Sequence, residues 1–234
     1  MTENPGGPRG ASPGDAATGS AAEPASTSTV VHLLRHGEVH NPQGVLYGRI
    51  PGFHLSEDGR LMAKAAAGFL AGRDVVALLS SPLDRAMETA APLSAQFGLD
   101  VVVDERLIEP TNHFEGTMFG PGSGVLSNPA HWRYLYNPFR PSWGEPYGSI
   151  VARMLDVMAA AARTARGHEA VCVSHQLPIW TARRAAEGKP LWHNPARRQC
   201  ALASVTSFTY TGDTITGVSY AEPAGGGRPQ VSGA

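Results

Sequence analysis

The sequence has little of what extracellular folding or binding to large charged partners requires. Only two of its 234 residues are cysteine, Cys172 and Cys200. Both lie in apolar stretches without CxxC or zinc-ligand spacing, so they read as buried thiols rather than as a disulfide framework or a metal site. Charge of one sign is also missing, the formal net charge being -1. Without clustered, uncompensated Lys and Arg there is no field to gather nucleic acid or anionic lipid, and any affinity for anions has to be local. No run approaches the ~18 apolar residues of a membrane-spanning helix. The first 29 residues have neither the basic start nor the apolar centre of a secretory signal. With 42% hydrophobic and 17% charged residues, the expectation is a cytoplasmic globular protein that meets a small molecule, not nucleic acid or a membrane.

Residues 1–29 are Gly, Pro, Ala, Ser and Thr with almost nothing to bury, which predicts a disordered tail. Residues 222–234 repeat the pattern and predict a flexible end, leaving one folded unit over 30–221. Val30 to Leu34 is a short apolar run suited to a strand covered on both faces, and it stops at Arg35-His36-Gly37. Ser56 opens a helical pattern through Leu61, Met62, Ala65, Ala66, Phe69 and Leu70. A strand from Val75 to Leu79 follows. Ser81 and Pro82 then offer an N-cap and a first-turn proline for a helix that carries Arg85, passes Pro92 and runs toward Phe97. Val101 to Val103 is a third strand. Residues 110–147 are rich in Gly, Pro, Asn and aromatics and longer than a simple connection, so they predict an inserted, lid-like segment. A helix from Ser149 to Arg166, the strand Ala170 to Ser174, a further helix and two closing strands around Gly212-Asp213 complete the pattern. Strands alternating with helices predict an α/β three-layer sandwich, its central sheet mostly parallel and its helices on both faces.

In such a sheet ligands bind beyond the carboxyl ends of the strands. Arg35, His36 and His175 each follow a strand directly, and Arg85 lies in the first turn of a helix, where the backbone also favours an anion. Two guanidinium groups and two imidazoles on one edge suit a phosphoryl group, whose oxygens accept forked donors.

These residues belong to four blocks: Leu34-Arg35-His36-Gly37-Glu38, Leu55-Ser56-Glu57-Asp58-Gly59-Arg60, Ser80 to Thr89 around Arg85, and Val173-Ser174-His175. In that order they resemble the histidine phosphatases of the phosphoglycerate mutase-like superfamily. The resemblance implies that His36 is the nucleophile forming a phosphohistidine, without metal or other cofactor. Arg35, Arg85 and His175 would hold the phosphoryl oxygens, His175 helping most when protonated. Asn41 matches a further phosphate donor. Glu109 matches the acid that alternates as proton donor and acceptor, with Glu115 as a rival in Phe114-Glu115-Gly116. Where the family commonly has Gly after the second histidine this chain has Gln176, a possible extra donor to substrate. In the insertion, Arg140 among aromatics could pair with a second anionic group of the substrate, or the segment could be a packed lid that reads nothing.

His36 and His40 stand at i,i+4, but the order HGEVH is not HExxH, and Gly37 and Pro42 disfavour the helix a metal pair needs. His32, His54, His113, His131, His168 and His193 carry no partner signal in the sequence. The expectation is a phosphatase acting on a small phosphomonoester, with a phosphoglycerate mutase as the first alternative and a catalytically silent binding module of the same fold as the second.

Overall fold

A computed structural model describes residues 28–117 and 144–225, together with Met1. Six strands form one sheet in the order β3-β2-β4-β1-β5-β6. They are β1 (Ser28–Arg35), β2 (Val75–Ser80), β3 (Val101–Val103), β4 (Glu169–Ser174), β5 (Val205–Thr211) and β6 (Thr214–Ala221). β3, β2, β4 and β1 run parallel, whereas β5 and β6 pair antiparallel. Among the described residues the α-helices are α1 (Glu57–Leu70), α2 (Asp84–Phe97), α3 (Tyr147–Thr164) and α4 (Gln176–Ala186).

Side-chain alternation along the strands builds two cores. Val31, Leu33, Ala170 and Cys172 face α3 and α4, packing on Ile150, Met154 and Ile179. Leu34, Val171 and Val173 face α1 and α2, packing on Ala66, Ala67, Leu70, Ala90 and Leu93. The expected three layers follow, because a central strand buried on both faces needs helices above and below. Both cysteines are buried and free. Among the described residues no helix is long and apolar enough to cross a membrane.

Several boundaries differ from the sequence expectation. Ser28 and Thr29 are not tail but the start of β1; the Thr29 hydroxyl accepts from the Gly167 N–H at 2.8 Å. At the other end Ala224 packs on the α1/α2 core, so the fold continues past residue 221. α3 begins at Tyr147, inside the expected insertion, and buries that ring. Ser81 does not cap α2, whose N-cap is Leu83 without a side-chain bond. Leu61 and Phe69 are exposed, and α1 instead buries Gly59, Ala63, Ala66, Ala67 and Leu70. Small residues there let α1 lie close against the equally small Ala86 and Ala90 of α2, so large side chains go outward.

The link after β1 is pinned to the start of α1. Ser56 caps α1, accepting from the Gly59 N–H, and its own N–H donates to the Glu38 carbonyl. A Cβ at Gly37 would lie 2.5 Å from the Gly59 carbonyl oxygen, and one at Gly59 would overlap the Glu38 carbonyl oxygen. These two glycines permit a backbone-on-backbone contact that fixes residues 36–38. Gly59→Ala should therefore cost about 1–3 kcal/mol, lowering Tm by roughly 2–12 °C in a thermal melt; an unchanged Tm would contradict the close approach.

Candidate phosphoryl-transfer site

Parallel registry brings the strand ends to one level. Arg35 of β1 stands opposite Ser174 of β4, and Ser80 of β2 opposite Val173. The next residue on each strand leaves the sheet at the same edge, which places His36, His175 and Ser81 together. Arg85 comes from the first turn of α2, and Glu109 from the link after the short turn Glu105–Leu107. Neither α2 nor α4 has a side-chain cap, so both present the positive ends of their dipoles here.

His36 is fully buried, and its Nδ1 lies 2.8 Å from the Gly37 carbonyl oxygen. A carbonyl only accepts, so Nδ1 carries the proton and Nε2 keeps its lone pair. Nε2 is buried with no hydrogen-bond partner among the described residues. Burial, then the charges of Arg85 and Arg35, hold this imidazole well below the usual histidine range. It is a neutral nitrogen base surrounded by cations.

The two arginines are held by neutral acceptors. Arg35 donates to the Cys200 carbonyl at 2.7 Å. Arg85 donates to the Gly48 carbonyl at 2.7 Å and lies 4.7 Å from the Tyr47 ring centroid. Nε of both lacks a hydrogen-bond partner among the described residues. Buried polar atoms are almost always satisfied, so unmet donors on two arginines, together with His36 Nε2 and Glu109 Oε2, mark groups aimed at something else.

His175 stacks obliquely on His36, with ring centroids 5.1 Å apart. Its Nδ1 faces Arg85 Nη2 at 3.3 Å and Glu109 Oε2 at 3.6 Å, while Nε2 meets the Ser81 hydroxyl at 2.8 Å. Arg85 can only donate, so in the neutral ring the proton sits on Nε2 and points to Ser81. The expectation that His175 works protonated needs a correction for the unliganded site. Burial first, then Arg85, His36 and Arg35, push its pKa well below the usual range. A phosphate dianion would oppose those cations and raise it. Burial pushes the Glu109 carboxyl the other way, upward, against Arg85 and Arg35.

The remaining candidates divide. The Asn41 amide is turned into its own loop, donating to the Val45 carbonyl at 2.8 Å and accepting from the Val45 N–H at 3.0 Å. These two bonds close its own loop and use one of the two N–H groups of the amide. Glu115 accepts from the Asn112 N–H at 3.2 Å and packs against Gly48, whose carbonyl holds Arg85. Gln176 is buried at the start of α4, its Oε1 accepting from Arg198 at 3.2 Å. Arg140, His131 and most of the expected lid lie outside the described residues. His40 is exposed, its backbone bonded to His54, and does not share the site with His36. His32, His54, His168 and His193 do have side-chain partners: Glu169, Glu88, Asp74 and Arg198.

Sequence reasoning missed Ser81, Tyr47, Arg49 and Arg198. Arg49 donates to the Glu109 backbone carbonyl and pairs with Glu145 at 3.6 Å, and Glu145 also takes Arg153 at 2.9 Å. Ser81 was visible as a polar residue after a strand, but it matched an N-cap signature equally well.

Comparison with known proteins gives the same neighbourhood. The model of the histidine phosphatase superfamily (branch 1) matches residues 31–223. The uncharacterised protein Rv0525 of Mycobacterium tuberculosis is 57% identical over 196 residues, covering 84% of this chain and 97% of its own length. Among solved structures, YhfR of Bacillus stearothermophilus superposes with a TM-score of 0.69 at 25% identity, covering 80% of this chain and 94% of that one. A mycobacterial glucosyl-3-phosphoglycerate phosphatase gives 0.65 at 26% identity, covering 83% and 96%.

Proposed function

Since the chain belongs to the histidine phosphatase superfamily, we propose that it hydrolyses a small phosphomonoester through a covalent phosphohistidine on His36. The observation that carries this reading is the buried, unpartnered Nε2 of a neutral His36 between Arg35, Arg85 and His175. In the first step Nε2 attacks phosphorus in line and the P–O ester bond breaks. Glu109, kept protonated to higher pH by burial, gives its proton to the leaving oxygen. The Gly37 carbonyl stays on Nδ1–H and supports the positive charge that the ring gains. In the second step water attacks the phosphorus, Glu109 takes its proton, and the P–N bond breaks to release inorganic phosphate. Arg35, Arg85 and His175 hold the oxygens throughout, supplying charge in a site from which water is largely excluded.

The test is a panel of phosphomonoesters followed by inorganic phosphate release in a chelator. Turnover that survives EDTA is expected, and turnover abolished by it would overturn the mechanism. A mutase is the second reading, favoured by one match: a 2,3-bisphosphoglycerate-dependent phosphoglycerate mutase of Thermoplasma acidophilum is 44% identical over 78 residues, 33% of this chain and 39% of its own. Conversion of 3-phosphoglycerate to its 2-isomer without phosphate release would establish that reading instead.

A further inference from the structure

Given hydrolysis at His36, we propose that Arg198 is a specificity residue that binds a second anionic group, carboxylate or phosphate, on the alcohol portion of the substrate, with Gln176 and His193 holding it in place.

Most cations around the site are already matched. Arg49 and Arg153 share Glu145, and Arg106 pairs with Asp104 and Asp156. Arg198 is different. It is half-buried, and no carboxylate lies within 4.0 Å of it among the described residues. What holds Arg198 is neutral: its Nε donates to His193 Nε2 at 2.9 Å and its Nη1 to Gln176 Oε1 at 3.2 Å. Arg35 and Arg85 are held in the same manner, by carbonyls and an imidazole, and those two face the phosphoryl position. A guanidinium fixed by neutral acceptors keeps its full charge and its fork for a ligand.

The holders are themselves fixed. His193 donates from Nδ1 to the Leu191 carbonyl at 2.7 Å, so Nε2 must accept from Arg198. Its ring packs against Tyr147 and Trp180, with centroids 5.6 and 5.9 Å away. Burial, against the Leu191 bond and with help from Arg198, lowers its pKa to about 4, so it stays a neutral acceptor across the physiological range. Gln176 follows His175 directly, which ties the position of Arg198 to the phosphoryl-binding histidine. A glycine there could not reach Arg198. Two residues after Arg198, the Cys200 carbonyl accepts from Arg35, so both the residue that holds Arg198 and the chain that carries it adjoin the phosphoryl-binding groups.

Three three-carbon esters separate the possibilities: glycerol 3-phosphate, 3-phosphoglycerate and 1,3-propanediol bisphosphate. The wild type should favour at least one doubly anionic ester over glycerol 3-phosphate by tenfold or more in kcat/KM, mainly through KM. Whichever it favours identifies the second group. Arg198→Ala should reduce that preference at least tenfold, and Gln176→Gly by a smaller factor in the same direction. Arg198→Lys, which keeps charge but loses the fork, should fall between wild type and Arg198→Ala. No preference in the wild type, or an equal loss on all three esters in Arg198→Ala, would overturn the proposal. So would a displaced pH profile common to all three, which would mean that Arg198 acts through Glu109. Calorimetric binding of the same esters to His36→Ala, with and without Arg198→Ala, reads the second group without turnover. If no ester is hydrolysed the phosphatase reading fails, while binding preference still decides the role of Arg198.

Discussion

Replacing His36 with Ala is expected to lower kcat/KM for every phosphomonoester by roughly four to six orders of magnitude, the range seen when a covalent nucleophile is removed. Arg35, Arg85 and His175 would still bind the phosphoryl group, so KM should move far less than kcat. The imidazole sits desolvated among cations, and its loss removes an unfavourable environment as well as packing. The variant should therefore fold, which a thermal melt checks. A second readout is independent of rate: brief incubation with a 32P-labelled ester should give acid-labile, base-stable label on the wild type and none on His36→Ala. Full activity in the variant would remove the phosphohistidine from the mechanism.

Glu109→Gln should reduce kcat by about 10²–10⁴ for alkyl phosphates. For p-nitrophenyl phosphate the loss should be smaller, since nitrophenolate departs without a proton. The amide keeps the shape of the carboxyl, so KM should change little. The pH dependence carries a definite sign. Burial raises the Glu109 pKa against the opposing arginines, so the proton needed by the leaving alkoxide persists to higher pH than on an exposed glutamate. For alkyl esters kcat/KM should fall as pH rises through that raised value, and Glu109→Gln should lack this limb. His36 and His175, both shifted downward, do not supply it. Equal losses on alkyl and aryl esters would transfer the proton role to another group.

The parts of the site that were legible in sequence are those fixed by local order. Arg35, His36 and His175 follow strands directly, and Arg85 follows one by a single turn, so knowing the strands gives the edge on which they meet. Glu109 was reached only through the family blocks, since a glutamate in a link between elements has no pattern of its own. Arg198 had no local signal at all. It lies in a polar stretch between α4 and β5, and its meaning comes from Gln176 and His193, brought to it by chain closure. Asn41 also has a role that the family blocks do not show: its amide closes its own loop against the backbone of Val45. Ser81 shows a genuine ambiguity, because a serine after a strand and before a proline suits a cap and a ligand position alike. In α1 the apolar pattern finds Ala66 and Leu70, which are buried, and Met62, which packs on the core, but Leu61 and Phe69 face outward because small alanines set the close contact with α2.

β1 lies between β4 and β5, pairing with Glu169–Ser174 on one side and with Val205–Thr211 on the other. The segment that carries His36 is therefore made more than 130 residues before either of its neighbours. Until then β1 has no partner for its backbone, and the pairings it needs are the slow, non-local kind. The cluster around His36 thus assembles only once β4 and β5 have been made, and a chain cut before β4 would hold His36 without His175 beside it.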